Sequence, residues 1–328
     1  MNDSYDETQD NLSTDRYEIG DTIGEGSFGC VKMGTNMNTG EPVAIKLVAN
    51  GTMKEIEYEM GVMNFLEEEY IEQQKLNRYY EDAVFGFPRA YAICVHQGMN
   101  GIIMERMGKD LDYYFKLCGG IFSIKTVCMI AVQIIDRLEW FHYCGFVHRD
   151  IKPNNFVMGY EKSKNKNHLH LIDFGLAKKF ITNKGRHIAC KTGKSPIGTI
   201  RYASINNHMG VTLSRRDDLE SSLYMCIYFL KGRLPWQGER GKTKKDHYEN
   251  ILKSKFKNLE GDLFKGIPDI FEKCIDRVRF VAFDQPPPYD TLRKLFCNYM
   301  AKNNIALDLQ YDWVVLEKNQ RANQNNLQ

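Results

Sequence analysis

The sequence predicts an α+β chain in two lobes: a small lobe built on an antiparallel sheet with one main helix, and a larger, mostly helical lobe. Three observations carry that expectation. Short β-like runs crowd the first third of the chain, separated by glycine or asparagine turns. One amphipathic helical pattern interrupts them. Beyond Gly108 the apolar periodicity is that of helices.

In chain order, residues 1–15 carry Asp3, Asp6, Glu7, Asp10 and Asp15 with no basic residue and only Leu12 as an aliphatic one, which reads as a disordered acidic tail. Residues 17–23, 30–35 and 42–48 read as strands. A helix follows, with Ile56, Met60, Met63 and Leu66 on one face among Glu55, Glu57, Glu59 and Glu67. Residues 67–84, rich in Glu, Gln and Tyr, either lengthen that helix or form a surface hairpin. Residues 90–95 and 101–104 complete the small sheet, and 127–143 and 219–230 are the clearest later helices. The Asn/Gln-rich stretch 318–328 reads as a disordered end. The folded domain is therefore expected over 16–317, its first lobe over about 16–105 and its second over about 108–317.

Hydrophobic residues at 43% and charged residues at 26% suit a soluble globular chain with ample core. A net charge of +2 gives no global pull toward nucleic acid or membrane, so neither is expected as a partner. The nine cysteines show no pair two residues apart, which removes the zinc-ribbon and redox patterns. Reduced thiols in a cytoplasmic or also nuclear compartment are the expectation. The apolar run 223–230 is too short to span a bilayer, and neither end of the sequence has a lipidation motif. A monomer is expected.

Chemistry concentrates in His148-Arg149-Asp150-Ile151-Lys152-Pro153-Asn154-Asn155, followed 18 residues after Asn155 by Asp173-Phe174-Gly175. In-line phosphoryl transfer needs an acceptor for the incoming hydroxyl proton, a cation on the transferred group, metal ligands and exclusion of water. Asp150 suits the first role, Lys152 the second, and Asn155 with Asp173 the third. Magnesium takes few protein oxygens, so two ligands plus phosphates suffice. His148 reads as a packed imidazole. In order and spacing the two stretches resemble the catalytic loop and metal-binding triplet of protein kinases. The resemblance implies ATP and Mg2+ as cofactors, bound in a cleft between the lobes.

Gly24-Glu25-Gly26-Ser27-Phe28-Gly29-Cys30-Val31 fits the kinase glycine loop, because it continues as a strand rather than opening a helix. Lys46 ends Val43-Ala44-Ile45-Lys46, the strand that aims a lysine at the α and β phosphates in kinases. Of the three carboxylates offered by the following helix, Glu59 is chosen as its partner, because it leads toward the apolar face holding Met63 and Leu66. Lys152 two places after Asp150 resembles the serine/threonine form of the loop. Thr199 resembles the threonine that bridges the catalytic Asp and Lys.

In place of Ala-Pro-Glu the chain has Gly198-Thr199-Ile200-Arg201-Tyr202-Ala203-Ser204-Ile205-Asn206. Ser214-Arg215-Arg216-Asp217-Asp218-Leu219-Glu220-Ser221 and Leu234-Pro235-Trp236-Gln237-Gly238 follow. These stretches resemble the casein kinase 1 family over roughly 17–313. That resemblance places Met104 at the gatekeeper position and Glu105, Arg106 and Met107 in the hinge. It puts Ala44, Val157 and Ile172 around an adenine, with Ile23 and Val31 above it and Gly24, Gly26 and Gly29 at the phosphates. Asp218 resembles the aspartate that braces the catalytic loop. Arg201 and Gly238, with Lys194 nearby, match positions that hold a substrate-side anion. One departure is His247 before Tyr248, where the family has a lysine that helps bind an anion; imidazole there implies weaker or pH-sensitive recognition.

From Lys178 to Arg201 the chain carries seven basic residues and no acidic one, a local field that favours acidic or phosphoprimed protein substrates. The functional expectation is an ATP- and magnesium-dependent protein serine/threonine kinase. The alternative is a catalytically silent pseudokinase acting as a scaffold. Against it, the base, the lysine and both metal ligands are all present.

Overall fold

The computed structural model describes residues 16–26, 29–76, 84–259 and 261–325. The acidic stretch 1–15, Ser27 and Phe28 of the glycine loop, 77–83 and 326–328 lie outside the described residues. The chain forms two compact units.

The first unit holds a five-stranded antiparallel sheet of order β1-β2-β3-β5-β4. Its strands are β1 (Tyr17–Gly26), β2 (Gly29–Asn36), β3 (Pro42–Val48), β4 (Ala90–His96) and β5 (Met99–Glu105), with α1 (Met53–Lys75) between β3 and β4. Alternation along β3 sends Val43, Ile45 and Leu47 into a core with Cys94 and Ile103. Ala44 and Lys46 fall on the opposite face. Thr52 starts α1 through a capping box with Glu55, two reciprocal bonds that satisfy amides at the helix end. The helix buries Ile56, Glu59, Met63, Leu66, Tyr70 and Gln73, one face at helical period. It runs on to Lys75, so the part of 67–84 before that point lengthens the helix.

The simple division near residue 105 needs correction. Residues 158–166 and 170–175 pack with the first unit although they come late in the chain. Backbone bonds explain it: Gly108 N–H donates to the Met158 carbonyl at 2.8 Å and Leu171 N–H to the Gly86 carbonyl at 2.9 Å. Phe174, fully buried, packs its ring 6.1 Å from that of Phe87.

The second unit is mainly helical. Its elements are α2 (Leu111–Leu117), α3 (Ile124–Tyr143), β6 (Phe146–Val147), β9 (Lys178–Lys179), α4 (Ile205–His208), α5 (Arg215–Lys231), α6 (Lys244–Leu259), α7 (Ile270–Arg279), α8 (Tyr289–Lys302) and α9 (Asp312–Asn325). The short strands β7 (Phe156–Met158) and β8 (Leu169–Leu171) precede β9 in the chain. α3 and α5 are its buried centre: nearly every residue from Thr126 to Ile135 and from Asp217 to Phe229 is buried. β6 pairs antiparallel with β9. Arg293 of α8 meets Asp136 at 2.8 Å and also pairs with Glu139, fastening α8 to α3. Among the described residues no helix is long and apolar enough to cross a membrane.

The end of the chain differs from its composition. Residues 318–325 continue α9 as helix, where Asn and Gln suggested a disordered end. Its first turn is the anchor that propagates it. Trp313 stacks 4.5 Å from both Tyr311 and Tyr114, and Asp312 accepts the Ser123 amide and hydroxyl, each at 2.6 Å. Trp313→Ala is therefore expected to cost about 3–5 kcal/mol of stability, whereas truncation after residue 317 removes the exposed side chains of 318–320 and 322 and costs less than about 1 kcal/mol. Urea denaturation of the two variants checks the contrast, and comparable losses would contradict this anchoring.

Candidate active site

In the first unit, β3 and α1 bring Lys46 and Glu59 together. Lys46 Nζ lies 2.7 and 2.9 Å from the two Glu59 oxygens and 2.7 Å from Asp173 Oδ1. Glu55 is spent on the helix cap and Glu57 is exposed, so the carboxylate chosen from the apolar face is the one that reaches the lysine. Glu59 also accepts the Phe174 amide at 3.1 Å, tying the Asp173-Phe174-Gly175 turn to α1. Burial alone would lower the Lys46 pKa, but Glu59 and Asp173 outweigh it and hold the ammonium above its ordinary value. Asp173 has φ +68°, a left-handed backbone uncommon for residues other than glycine.

The other nucleotide-binding candidates of this unit line the same sheet. Register sets Val31 opposite Lys46 and Gly24, and Ala44 opposite Met33 and Met104. Gly26 pairs with Gly29 at the mouth of the hairpin. A Cβ at Gly29 would collide with the Leu47 carbonyl, so that glycine is required by strand approach. Ile23, Met104, Met107 and Ile172 are half-buried. Glu105 is engaged by Arg89, whose amide donates to its carboxylate at 3.3 Å and whose guanidinium lies 3.8 Å away.

In the second unit the catalytic-loop candidates converge on Asp150. Lys152 Nζ donates to Asp150 Oδ2 at 2.6 Å, and Thr199 donates to Oδ1 through its amide at 2.7 Å and its hydroxyl at 2.8 Å. Thr199 thus meets the aspartate on one oxygen while the lysine takes the other. Asn155 Nδ2 donates to the Asp150 carbonyl at 2.8 Å, which leaves its amide oxygen as the acceptor available to a cation. Pro153 opens the short 3-10 turn that places Asn155. Val157 is buried and bridges to Asp110.

Asp218 supports this loop. Its two oxygens accept the His148 amide at 2.7 Å and the Arg149 amide at 2.8 Å, and His148 Nδ1 accepts the Asp150 amide at 3.3 Å. Arg149 itself has φ +71°. His142 Nε2 lies 2.9 Å from Asp218 Oδ2 and its Nδ1 lies 2.6 Å from Tyr289 Oη. An ionised carboxylate only accepts, so Nε2 carries the proton and Nδ1 accepts from the tyrosine hydroxyl. Burial lowers the His142 pKa against the pull of Asp218, while bonds from His142 and the His148 amide outweigh burial and hold Asp218 below its ordinary value.

Four contributors went unassigned from sequence. Gly198 has φ +72°, and a Cβ there would run into the Arg149 carbonyl oxygen, so only glycine lets Thr199 reach Asp150. His142 and Tyr289 complete the support of Asp218, and their separations in sequence left no local signal. Asp217 accepts Ser204 Oγ, Asn206 Nδ2 and the Ser214 amide at 2.8, 3.0 and 2.7 Å, which anchors the Ser-Ile-Asn stretch on α5. Burial pushes its pKa up to about 6.

The anion candidates are less gathered. All seven basic residues between Lys178 and Arg201 are exposed. The Arg201 guanidinium lies over the Tyr228 and Tyr202 rings, 5.6 and 5.8 Å from their centroids. Gly238 is exposed with φ +97°, and Lys194 is fixed by its amide to the Gly210 carbonyl at 2.9 Å. Among the described residues no hydrogen bond or ion pair joins Arg201, Gly238 and Lys194.

The family model described as protein kinase domain matches residues 17–285, most of the chain.

The support of Asp218 has a pH signature. Folded, His142 binds its proton less readily than the unfolded chain, so stability falls as pH drops through about 6.5. His142→Gln should flatten the decline between pH 7 and 5 by up to about 1.4 kcal/mol per pH unit. Urea denaturation at each pH measures this, and parallel curves for the two proteins would contradict it.

Proposed function

The chain belongs to the protein kinase family, and from that premise we propose that it is an active serine/threonine kinase of the casein kinase 1 type. The observation that carries activity is that two sets of residues are intact and bonded within themselves: Lys46, Glu59 and Asp173 in the first unit, and Asp150, Lys152, Thr199 and Asn155 in the second. A silent scaffold would need none of these bonds kept.

The donors present suit ATP with Mg2+. Asp173 offers a carboxylate beside Lys46, and Asn155, whose Nδ2 donates to the Asp150 carbonyl, offers an amide oxygen. A carboxylate and an amide oxygen are hard ligands of the kind magnesium takes beside phosphate. Bound magnesium would neutralise charge on the β and γ phosphates. Lys46, kept charged by Glu59, would bind the α and β phosphates. The Glu105 side chain is held by Arg89, so its contribution to a base would come from the main chain, with Ala44 and Ile172 of the same unit as apolar cover.

Asp150 would accept the proton of the substrate hydroxyl at the oxygen that Lys152 now holds, with Lys152 turning to the γ-phosphate. Thr199 holds the other oxygen, so the carboxylate cannot rotate away. Lys152 in this loop and the Ser204-Ile205-Asn206 stretch support the serine/threonine and casein kinase 1 assignment. The exposed basic stretch supports acidic or phosphoprimed protein substrates, with Arg201 giving charge-assisted hydrogen bonds to a substrate phosphate.

Asp150→Asn, Asp173→Asn and Lys46→Met should each remove nearly all transfer from radiolabelled ATP to an acidic peptide while retaining a cooperative unfolding transition. Near wild-type turnover in folded Asp173→Asn protein would refute the metal assignment. Arg201→Ala and Lys194→Ala should erode the preference for a phosphoserine upstream of the acceptor more than they affect an unprimed peptide, and added salt should act likewise. Equal catalytic efficiency on basic and acidic peptides at low salt would sink the substrate assignment.

A further inference from the structure

Lys255 on α6 is wholly buried, an unusual place for an ammonium that no carboxylate among the described residues bonds directly. Its Nζ donates to the carbonyl oxygens of Ala203 and, at 3.4 Å, Ile200. It sits between two aromatic rings, 5.0 Å from the Tyr224 centroid and 4.9 Å from that of Trp236. The Trp236 indole in turn donates to the Arg201 carbonyl at 2.7 Å. Three carbonyls within four residues are therefore held by two side chains from elsewhere in the unit. At the other end of the same segment, Thr199 is bonded to Asp150 and Gly198 lies against the Arg149 carbonyl.

Desolvating an ammonium costs several kcal/mol, and a methionine of similar volume would fill the space without that cost. What only the lysine supplies is a donor for two carbonyls at once, set by rings that attract a cation. Phosphoryl transfer uses no group at this position. We propose that Lys255 and Trp236 act together as a clamp of positioning residues that fixes the 198–203 backbone, and with it the placement of Arg201 toward the protein substrate. The proposal rests on the kinase reading given above for its kinetic consequence, but not for its structural one.

The clamp carries its own titration. Burial pushes the Lys255 pKa down to about 7, with Glu220 opposing. The titratable and charged groups around it are Glu220 and Tyr224 from α5, His208 from α4, and His247 and Tyr248 along α6. Burial keeps the Tyr224 phenol protonated well past its ordinary value, and His208, pushed down to about 3 by burial and then by Lys255, is neutral. Raising the pH from 7 to 9 removes the ammonium, and the cation–π attraction with it. The linkage to stability runs the other way. A lysine whose pKa is lower folded than unfolded opposes folding below pH 7, and that opposition is relieved as pH rises.

Lys255→Met is the test, with wild type beside it. The expected result is a variant at least as heat-stable as wild type at pH 7, with peptide KM raised about tenfold and ATP KM unchanged. Wild type should show a rise of peptide KM from pH 7 to 9, and the variant should not. Hydrogen exchange should quicken at the amides of Tyr202 and Ala203, which donate to the Thr199 and Ile200 carbonyls. Unchanged peptide KM together with unchanged exchange would overturn the clamp. Should wild type transfer no phosphate, the kinase reading fails on its own, and exchange at these two amides then decides the clamp alone. Should the methionine variant not fold, Trp236→Phe removes the indole donor while keeping an aromatic ring. It must then quicken the same amides, and unchanged exchange there overturns the proposal.

Discussion

A buried carboxylate, Asp218, is the constraint on which the Asp150 loop of the second unit depends. The loop before Asp150 turns through a left-handed residue at Arg149, where regular structure offers no partner for the His148 and Arg149 amides. Two buried N–H groups without acceptors would cost more than the turn could bear. Asp218 takes both, one on each oxygen, and His142 with Tyr289 satisfies what remains. A charge this deep is tolerable only because every donor around it points inward. The orientation of Asp150, and of Lys152 and Thr199 bonded to it, follows from that one satisfied group.

The parts legible in sequence are those whose signal is local. Turn residues bounding a β-like run located β3, Pro42–Val48, and apolar spacing on α1 singled out Glu59, which stands three residues after Ile56 and four before Met63 on the same face. Polar residues at fixed spacing marked Asp150, Lys152, Asn155 and Asp173, which identity alone makes readable. Contacts between distant segments leave no such trace. Nothing near residue 158 shows that its carbonyl accepts the Gly108 amide, and Tyr289 stands 147 residues from the histidine it bonds. The α9 helix was misjudged from composition, since Asn and Gln are only modest helix formers and the anchoring rings at Tyr311 and Trp313 lie outside the stretch in question.

Lys255 shows the same limit from the other side. In the run Lys253-Ser254-Lys255-Phe256-Lys257 it is indistinguishable by type from its solvated neighbours. Only the fold reveals that Lys255 is enclosed while Phe256, beside it, is exposed. Helical geometry sends adjacent residues to different faces, and here the face toward α5 takes the lysine. The pattern of apolar residues is a guide to burial only where burial is driven by apolar area, and this side chain is buried for its donors.

Lys46 and Lys255 together show how surroundings assign work to one residue type. Lys46 has two carboxylates within hydrogen-bond distance, and they hold its charge against desolvation. Lys255 has carbonyl oxygens and ring faces, which direct its N–H groups but compensate little of the cost of burying the charge. The first arrangement suits a permanent cation that must meet phosphate. The second suits a donor whose task is to hold backbone in place. Asp173 shares the logic of Lys46, because the ammonium occupies one of its oxygens and fixes the carboxylate's direction. A metal drawn to this carboxylate would meet a ligand already oriented, so little further ordering would be needed at the moment of binding.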